Sequence, residues 1–283
     1  MDGSDRAAHD ERPVPALSFG SVADAYDRAR PTYPAQAAAW LAGLDPASGA
    51  RILELGAGTG KLTAELVAQG HRVLATDPLE EMLRHLVHRL PATPAAVGTA
   101  ERIPLRARSV DVVIGAQCFH WWDVHRALPE VARVLRPGGH LALTWNLRDE
   151  RVPWVRRLGS LIGTQEQQND PTHALLSSNL FGFVETTTFR FWQPLDRTRL
   201  RDLVLSRSNI ATRSEPERER VLRKVDALYD DFGRGAEGML LPYVTHCYRA
   251  VVRPPAVDSD HPAVDTRPGD DGGDADALLI DFQ

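Results

Sequence analysis

Cysteine and lysine are nearly absent from this chain of 283 residues. The two cysteines, Cys118 and Cys247, are too few for a disulfide framework, and no Cys/His spacing suits a zinc site, so no metal is assigned. Lysine occurs only at Lys61 and Lys224, which leaves 31 of the 33 basic residues as arginine. Such a bias follows GC-rich codon usage and does not by itself signal phosphate recognition. No run approaches the ~20 apolar residues needed to cross a bilayer. The opening MDGSDRAAHDERPVP lacks the apolar segment of a secretory signal, so a cytoplasmic location is expected. Positive charge is also scarce where a nucleic acid would need it. The net charge is −5, but residues 254–283 hold eight Asp against one Arg, which leaves the first 253 residues at about +2. A nearly neutral body gives no electrostatic basis for a nucleic-acid partner, and a membrane partner is not expected either. The oligomeric state is not legible.

What is present is a well-patterned α/β chain with 43 % hydrophobic residues, enough for one substantial core. Residues 1–16 are polar and are expected to be a disordered tail, as is the acidic stretch 254–283; residues 17–253 form the expected domain. Within it, Arg51–Leu55, Arg72–Thr76, Ala95–Gly98, Val110–Gly115 and His140–Trp145 read as buried strands. Helical spacing fills Lys61–Gln69, Leu79–Arg89 and His125–Leu135, with stops at Gly70 and at Pro137-Gly138-Gly139. This alternation predicts a parallel sheet covered on both faces, with ligands beyond the carboxyl ends of the strands. Further on, residues 153–168 and 214–232 read as helices. Residues 183–193 and Tyr243–Arg253 read as strands, taken as an antiparallel, hairpin-like edge on the sheet.

The segment ILELGAGTGKLT sets Gly56, Gly58 and Gly60 between a strand and a helix. A dinucleotide fingerprint needs a third small residue where Lys61 stands. A phosphate loop needs Gly and Ser or Thr where Leu55 and Leu62 stand. Glu54 beside the turn repels an anion and welcomes a cation. Asp77, twenty-one positions after Gly56 at the end of the next strand, is placed to accept ribose hydroxyls.

With these residues the chain resembles the class I S-adenosylmethionine-dependent methyltransferases, in particular the small-molecule group called methyltransferase type 11. The resemblance covers residues 19–146 well and 183–253 more loosely. It implies that Glu54, Gly56, Ala57, Gly58 and Gly60 wrap the methionine portion of S-adenosyl-L-methionine, and that Asp77, followed by Pro78, holds the ribose. It implies that Ala100 and Glu101 flank the adenine, and that RVLRPGGHLALTW at residues 133–145 is the family's helix, turn and fifth strand. Met82 either covers the adenine face or only packs the helix core.

Two stretches are candidates for the acceptor side. Phe19, Ala23, Tyr26, Arg30 and Tyr33 form a patterned run that ends at Arg30-Pro31. It is either a short surface helix or, as the resemblance implies, a lid in which Tyr26 and Arg30 close on the cofactor carboxylate or an acidic substrate, with Tyr33 on the substrate side. The stretch AQCFHWWD puts Gln117 by the cofactor and His120, Trp121 and Trp122 where the donor methyl would lie, with Trp145 contributing from the next strand; otherwise His120 and Trp121 only pack the domain's own surface. The resemblance here is to members carrying a His-Trp pair at this place, among them enzymes that methylate small carboxylic acids. His120 is a general base if the acceptor is a hydroxyl, and a positioning group if it is a carboxylate. The expected fold is therefore a Rossmann-like, seven-stranded, mostly parallel sheet with an antiparallel last strand and helical lid additions. The expected activity is O-methylation of a small-molecule carboxylate or hydroxyl. N- or C-methylation of a small molecule, or a non-catalytic methyltransferase-like binding module, remain as alternatives.

Overall fold

The computed structural model describes residue 27 and residues 30–164, 170–233 and 238–254. The expected tails, apart from Pro254, and the lid residues Phe19, Ala23 and Tyr26 lie outside the described residues. Seven strands make one sheet: β1 (Arg51–Leu55), β2 (Arg72–Asp77), β3 (Ala95–Val97), β4 (Val110–Ala116), β5 (Leu135–Arg148), β6 (Phe181–Leu195) and β7 (Met239–Val252). Their spatial order is β3-β2-β1-β4-β5-β7-β6. The pairings among β3, β2, β1, β4 and β5 are parallel, and β7 runs antiparallel to both its neighbours. The mostly parallel sheet and its antiparallel last strand are therefore as expected. So is the antiparallel edge made by β6 and β7, with β7 inserted between β5 and β6 and helices joining the two strands.

Strict alternation along the central strands sends neighbours to opposite faces. Ile52, Val112, Ile114 and Ala142 face α1 (Ala35–Ala42) and α2 (Lys61–Ala68), packing with Tyr33, Leu41, Leu62 and Leu66. Leu53, Val113, Leu141 and Leu143 face the other way, onto Leu128 and Val131 of α4 (Val124–Val134). α3 (Glu80–Arg89) packs against β2 and β3 through Leu83 and Leu86. Glycine at position 139 lets β5 pass close to β4: a Cβ there would lie 2.7 Å from the carbonyl oxygen of Asp111. A register shift between Val110 and Val112 sits at the same place, so the predicted Pro-Gly-Gly stop is an irregularity within β5.

A second layer of helices covers the far ends of β6 and β7. It comprises α5 (Pro153–Ile162), α7 (Arg197–Leu205), α8 (Ser208–Ala211) and α9 (Glu215–Phe232). Val155, Leu158, Leu203, Leu222 and Val225 bury against Leu195, Leu241 and Tyr243. Short α6 (Thr172–Ser177) packs on β6. α9 opens with a reciprocal capping box between Ser214 and Glu217. Among the described residues no helix is long and apolar enough to cross a membrane.

Candidate functional site

The carboxyl ends of β1, β4 and β5 meet over a cleft. Glu54, the residue before the last of β1, is only 1 % exposed and lines the cleft. Thr63 Oγ1 of α2 donates to Glu54 Oε2 at 2.7 Å. Burial pushes the Glu54 carboxyl up to about 8, against the lowering effect of Thr63 and with a smaller upward push from Asp77. The turn that follows has Gly56 at φ +68° and Gly58 at φ +57°. A side chain at position 56 would collide with Cys118, whose Cβ lies 2.8 Å from the ideal Cβ position. At Gly58 nothing lies within 4 Å of that position, so the backbone there presents an open surface to the cleft.

Asp77 ends β2 and ties this turn down. Its Oδ2 accepts from the Gly58 amide and its Oδ1 from the Leu79 amide, each at 2.9 Å. Burial raises its pKa, and the two amides partly offset that. Each oxygen accepts one of these bonds and so retains further acceptor capacity. From the amino-terminal side, Asp27 reaches the same turn. Thr59 Oγ1 donates to Asp27 Oδ1 at 2.7 Å, and Lys61 Nζ sits 3.4 Å from that oxygen, with Arg89 paired to the other oxygen.

β4 exits into Gln117, which holds a left-handed backbone at φ +58° without being glycine. Its amide N donates to Thr144 O at 2.9 Å and its Nε2 to Asn146 O at 3.2 Å. Asn146 is buried, accepting from Thr245 Oγ1 at 2.7 Å and donating through Nδ2 to Thr32 O at 3.0 Å. Beyond Gln117, the rings of His120 and Trp121 lie 4.7 Å apart. Desolvation and then the charge of Arg30 pull the His120 pKa down from the usual imidazole value, although the residue as a whole is exposed.

Of the predicted residues, Arg30, Tyr33, Glu54, Gly56, Ala57, Gly58 and Gln117 line the cleft. Gly60 starts α2 in a left-handed conformation. Pro78 is exposed, while Met82 and Ala100 are buried; Glu101 Oε1 accepts from the Asp123 amide at 2.9 Å. These four and Asp77 are not part of the lining. Trp145 is placed in the core and Trp122, half-buried, packs against it; neither these two nor His120 and Trp121 are part of the cleft lining. Trp145 and Asn146 point to opposite faces of β5, so Trp145 packs edge-on to Phe119 and Tyr248 while Asn146 takes the cleft side. Trp122 packs against Phe119, with ring centroids 5.2 Å apart. The sequence reasoning missed Asn146, Thr59, Lys61 and Asp27. For Asn146 a signal existed: an isolated amide at the end of a buried strand.

The family match agrees with this geometry. The methyltransferase domain family matches residues 53–143, the span from β1 into β5. A Mycobacterium tuberculosis protein named only as a methyltransferase is 47 % identical over 240 residues, covering 84 % of this chain and 96 % of that protein. A malonyl-[acyl-carrier protein] O-methyltransferase of Methylococcus capsulatus is 38 % identical over 151 residues, 49 % of this chain and 54 % of that protein. Among solved structures, a protein assigned as a type II methyltransferase from Anaeromyxobacter dehalogenans superposes with a TM-score of 0.53 at 25 % identity, covering 79 % of this chain and 97 % of that one. A glycine turn between two buried acids, at the carboxyl edge of a 3-2-1-4-5-7-6 sheet, thus belongs to a chain of the class I S-adenosylmethionine-dependent methyltransferases, in the type 11 group.

Proposed function

We propose that the enzyme transfers the methyl group to an oxygen of a small molecule, a carboxylate or a hydroxyl. The observation that carries this reading is the position of Arg30, which lines the cleft and whose charge also reaches His120. The cleft wall therefore offers a fixed cation, and beyond the lining stands an imidazole whose pKa burial lowers, which suits an acceptor with negative charge or an acidic proton. The Methylococcus relative, an O-methyltransferase by name, supports an oxygen acceptor. The near-neutral body supports a small molecule over a nucleic acid.

The residues fit the cofactor. The open face of Gly58 admits a backbone-hugging ligand, and buried Glu54 is a partner for the cationic amino-acid end. Asp77 keeps acceptor capacity for ribose hydroxyls, and Ala100 and Glu101 stand on the adenine side. S-adenosylmethionine held there would supply an electrophilic sulfonium methyl for the acceptor oxygen, with S-adenosylhomocysteine as the leaving group. The protein's part is alignment and exclusion of water. With a hydroxyl acceptor, His120 takes the proton; a carboxylate acceptor has none to give.

The test has two arms. Calorimetry should show binding of S-adenosylhomocysteine and none of NAD; the reverse pattern removes the cofactor assignment. His120→Ala should keep cofactor affinity within about twofold, ~0.4 kcal/mol. It should lower transfer by ~10²–10⁴ for a hydroxyl acceptor. A large loss of cofactor binding with transfer intact would move His120 to the cofactor side.

A further inference from the structure

A second hollow lies apart from the cleft, where the end of β6 meets the start of β7. Asn146, Thr245 and Phe189 stand in register across β5, β7 and β6, on the side of the sheet that carries the cleft. Arg190 and Trp192 are odd numbers of residues from Phe189 and so point to the other side. Trp192 is opposite Pro242, and Leu240, opposite Pro194, is its diagonal neighbour. Val152 and Trp154 at the amino end of α5, with Phe191 and Tyr243, complete a hollow of about 330 Å³. That is within the ~300–1,000 Å³ of ligand pockets. Trp192 is 61 % exposed and Leu240 47 %, so its apolar wall meets water. Single exposed apolar side chains are ordinary, whereas a contiguous set in a hollow marks a binding surface. At the rim, Asp149 is held by Arg151, which donates to both its oxygens. Arg190 is exposed and forms no ion pair among the described residues. The groove therefore suits an extended apolar segment that carries an acid.

The chain's own sequence contains such a segment. Residues 255–277 hold seven Asp and no Leu, Ile, Met, Phe, Tyr or Trp, and they are followed by Leu278-Leu279-Ile280-Asp281-Phe282. In an extended backbone Leu278, Ile280 and Phe282 share one side and Asp281 takes the other. Leaving these apolar side chains in water forgoes burial that the groove supplies. The reach also fits. β7 carries the chain from Pro242 in the groove to Val252, ~34 Å away. A chain of the length and composition of residues 255–277 has an r.m.s. span of ~26 Å and a full reach of ~75 Å. A tether whose span is close to the distance it must cover keeps its cargo at an effective concentration of millimolar order, so even a weak contact is occupied.

We propose that residues 278–283 dock in this groove of their own chain, with Leu278, Ile280 and Phe282 covering Trp192, Leu240 and Pro242, and Asp281 reaching Arg190. The groove faces away from the cleft, so the docking stands independently of the cofactor and the acceptor. It closes an apolar hollow on the outermost strands, which left open would recruit other chains.

Disulfide trapping in the full chain tests this. Gln283→Cys spares the apolar side chains of the segment and is paired either with Leu240→Cys in the groove or with Phe183→Cys as the reference. Burial raises the thiol pKa of the native Cys118 and Cys247, which keeps them out of the exchange. Phe183 is 82 % exposed and lies near Val252, where the tether begins, so an undocked segment meets it more often than it meets Leu240. Docking reverses that order: the Leu240 pair should close about tenfold faster than the Phe183 pair, and within one molecule. Adding Ile280→Asp should remove the preference and open the groove to a hydrophobic dye. If Leu240→Cys folds poorly, Arg190→Cys takes its place at the same rim. Equal or faster closure with Phe183→Cys overturns the proposal, as does a preference that survives Ile280→Asp. Disulfides that form only between molecules also overturn it, assigning the groove to a second copy of the chain.

Discussion

At the scale of single residues, Glu54 sets a pH dependence. Its carboxyl holds a proton to about pH 8 in the folded protein, whereas in the unfolded chain it loses it near 4.5. Between these values the native state binds more protons than the unfolded one, so the contribution to stability is full below pH 4.5 and is lost as pH rises toward 8. A cation bound beside Glu54 favours its charged form, so cofactor binding expels a proton. Apparent affinity for S-adenosylmethionine should therefore climb between pH 6 and 8, by up to about tenfold per unit. In Glu54→Gln the climb should vanish, and ligand-free stability should lose its decline over the same range. Calorimetry in buffers of different ionisation enthalpy checks the proton release; an unchanged pH profile in Glu54→Gln would assign the titration to another group. The acidic identity of Glu54 and Asp77 was legible because a local motif carries it. The cleft role of Asn146 in place of Trp145 was not, because the choice between adjacent residues depends on which face of β5 meets the cleft.

At the scale of elements, the strands from β1 to β4 were readable to within one or two residues, since buried parallel strands are short apolar runs between turn signals. β5 was half-read because Pro137-Gly138-Gly139 signals a turn, and only contact with β4 shows it as an irregular strand. α1 was missed: AQAAAWLA buries Ala37, Ala38, Leu41 and Ala42, and small residues give little periodic contrast. The exit of β4 carries its own prediction. Gln117 pays for a left-handed backbone with ~1 kcal/mol of strain, of the kind that accumulates at working sites. Gln117→Gly should therefore leave stability to urea unchanged or higher by up to ~1 kcal/mol, after the added freedom of the unfolded glycine is allowed for. Cofactor affinity should fall, because the bond to Asn146 is lost. A destabilised variant with full affinity would show that the conformation serves only the fold.

At the scale of the whole molecule, the placement of β7 has a consequence for how the chain is made. Among the described residues, β7 is the sole strand partner of β6, and it also covers the open edge of β5. During synthesis the ribosome releases β6 and then the segment through α9 before β7 exists. For that interval β6 offers its backbone to any strand nearby, which is a hazard of long-range pairing. A chain stopped after Phe232 should bind a hydrophobic dye strongly and aggregate on refolding, while the full chain refolds cooperatively. A truncated chain that resists proteolysis as well as the full one would show that β6 does not wait for β7. If it does wait, birth order and burial order are opposed here, and the nascent protein depends on a chaperone, or on speed, until residue 252 has emerged.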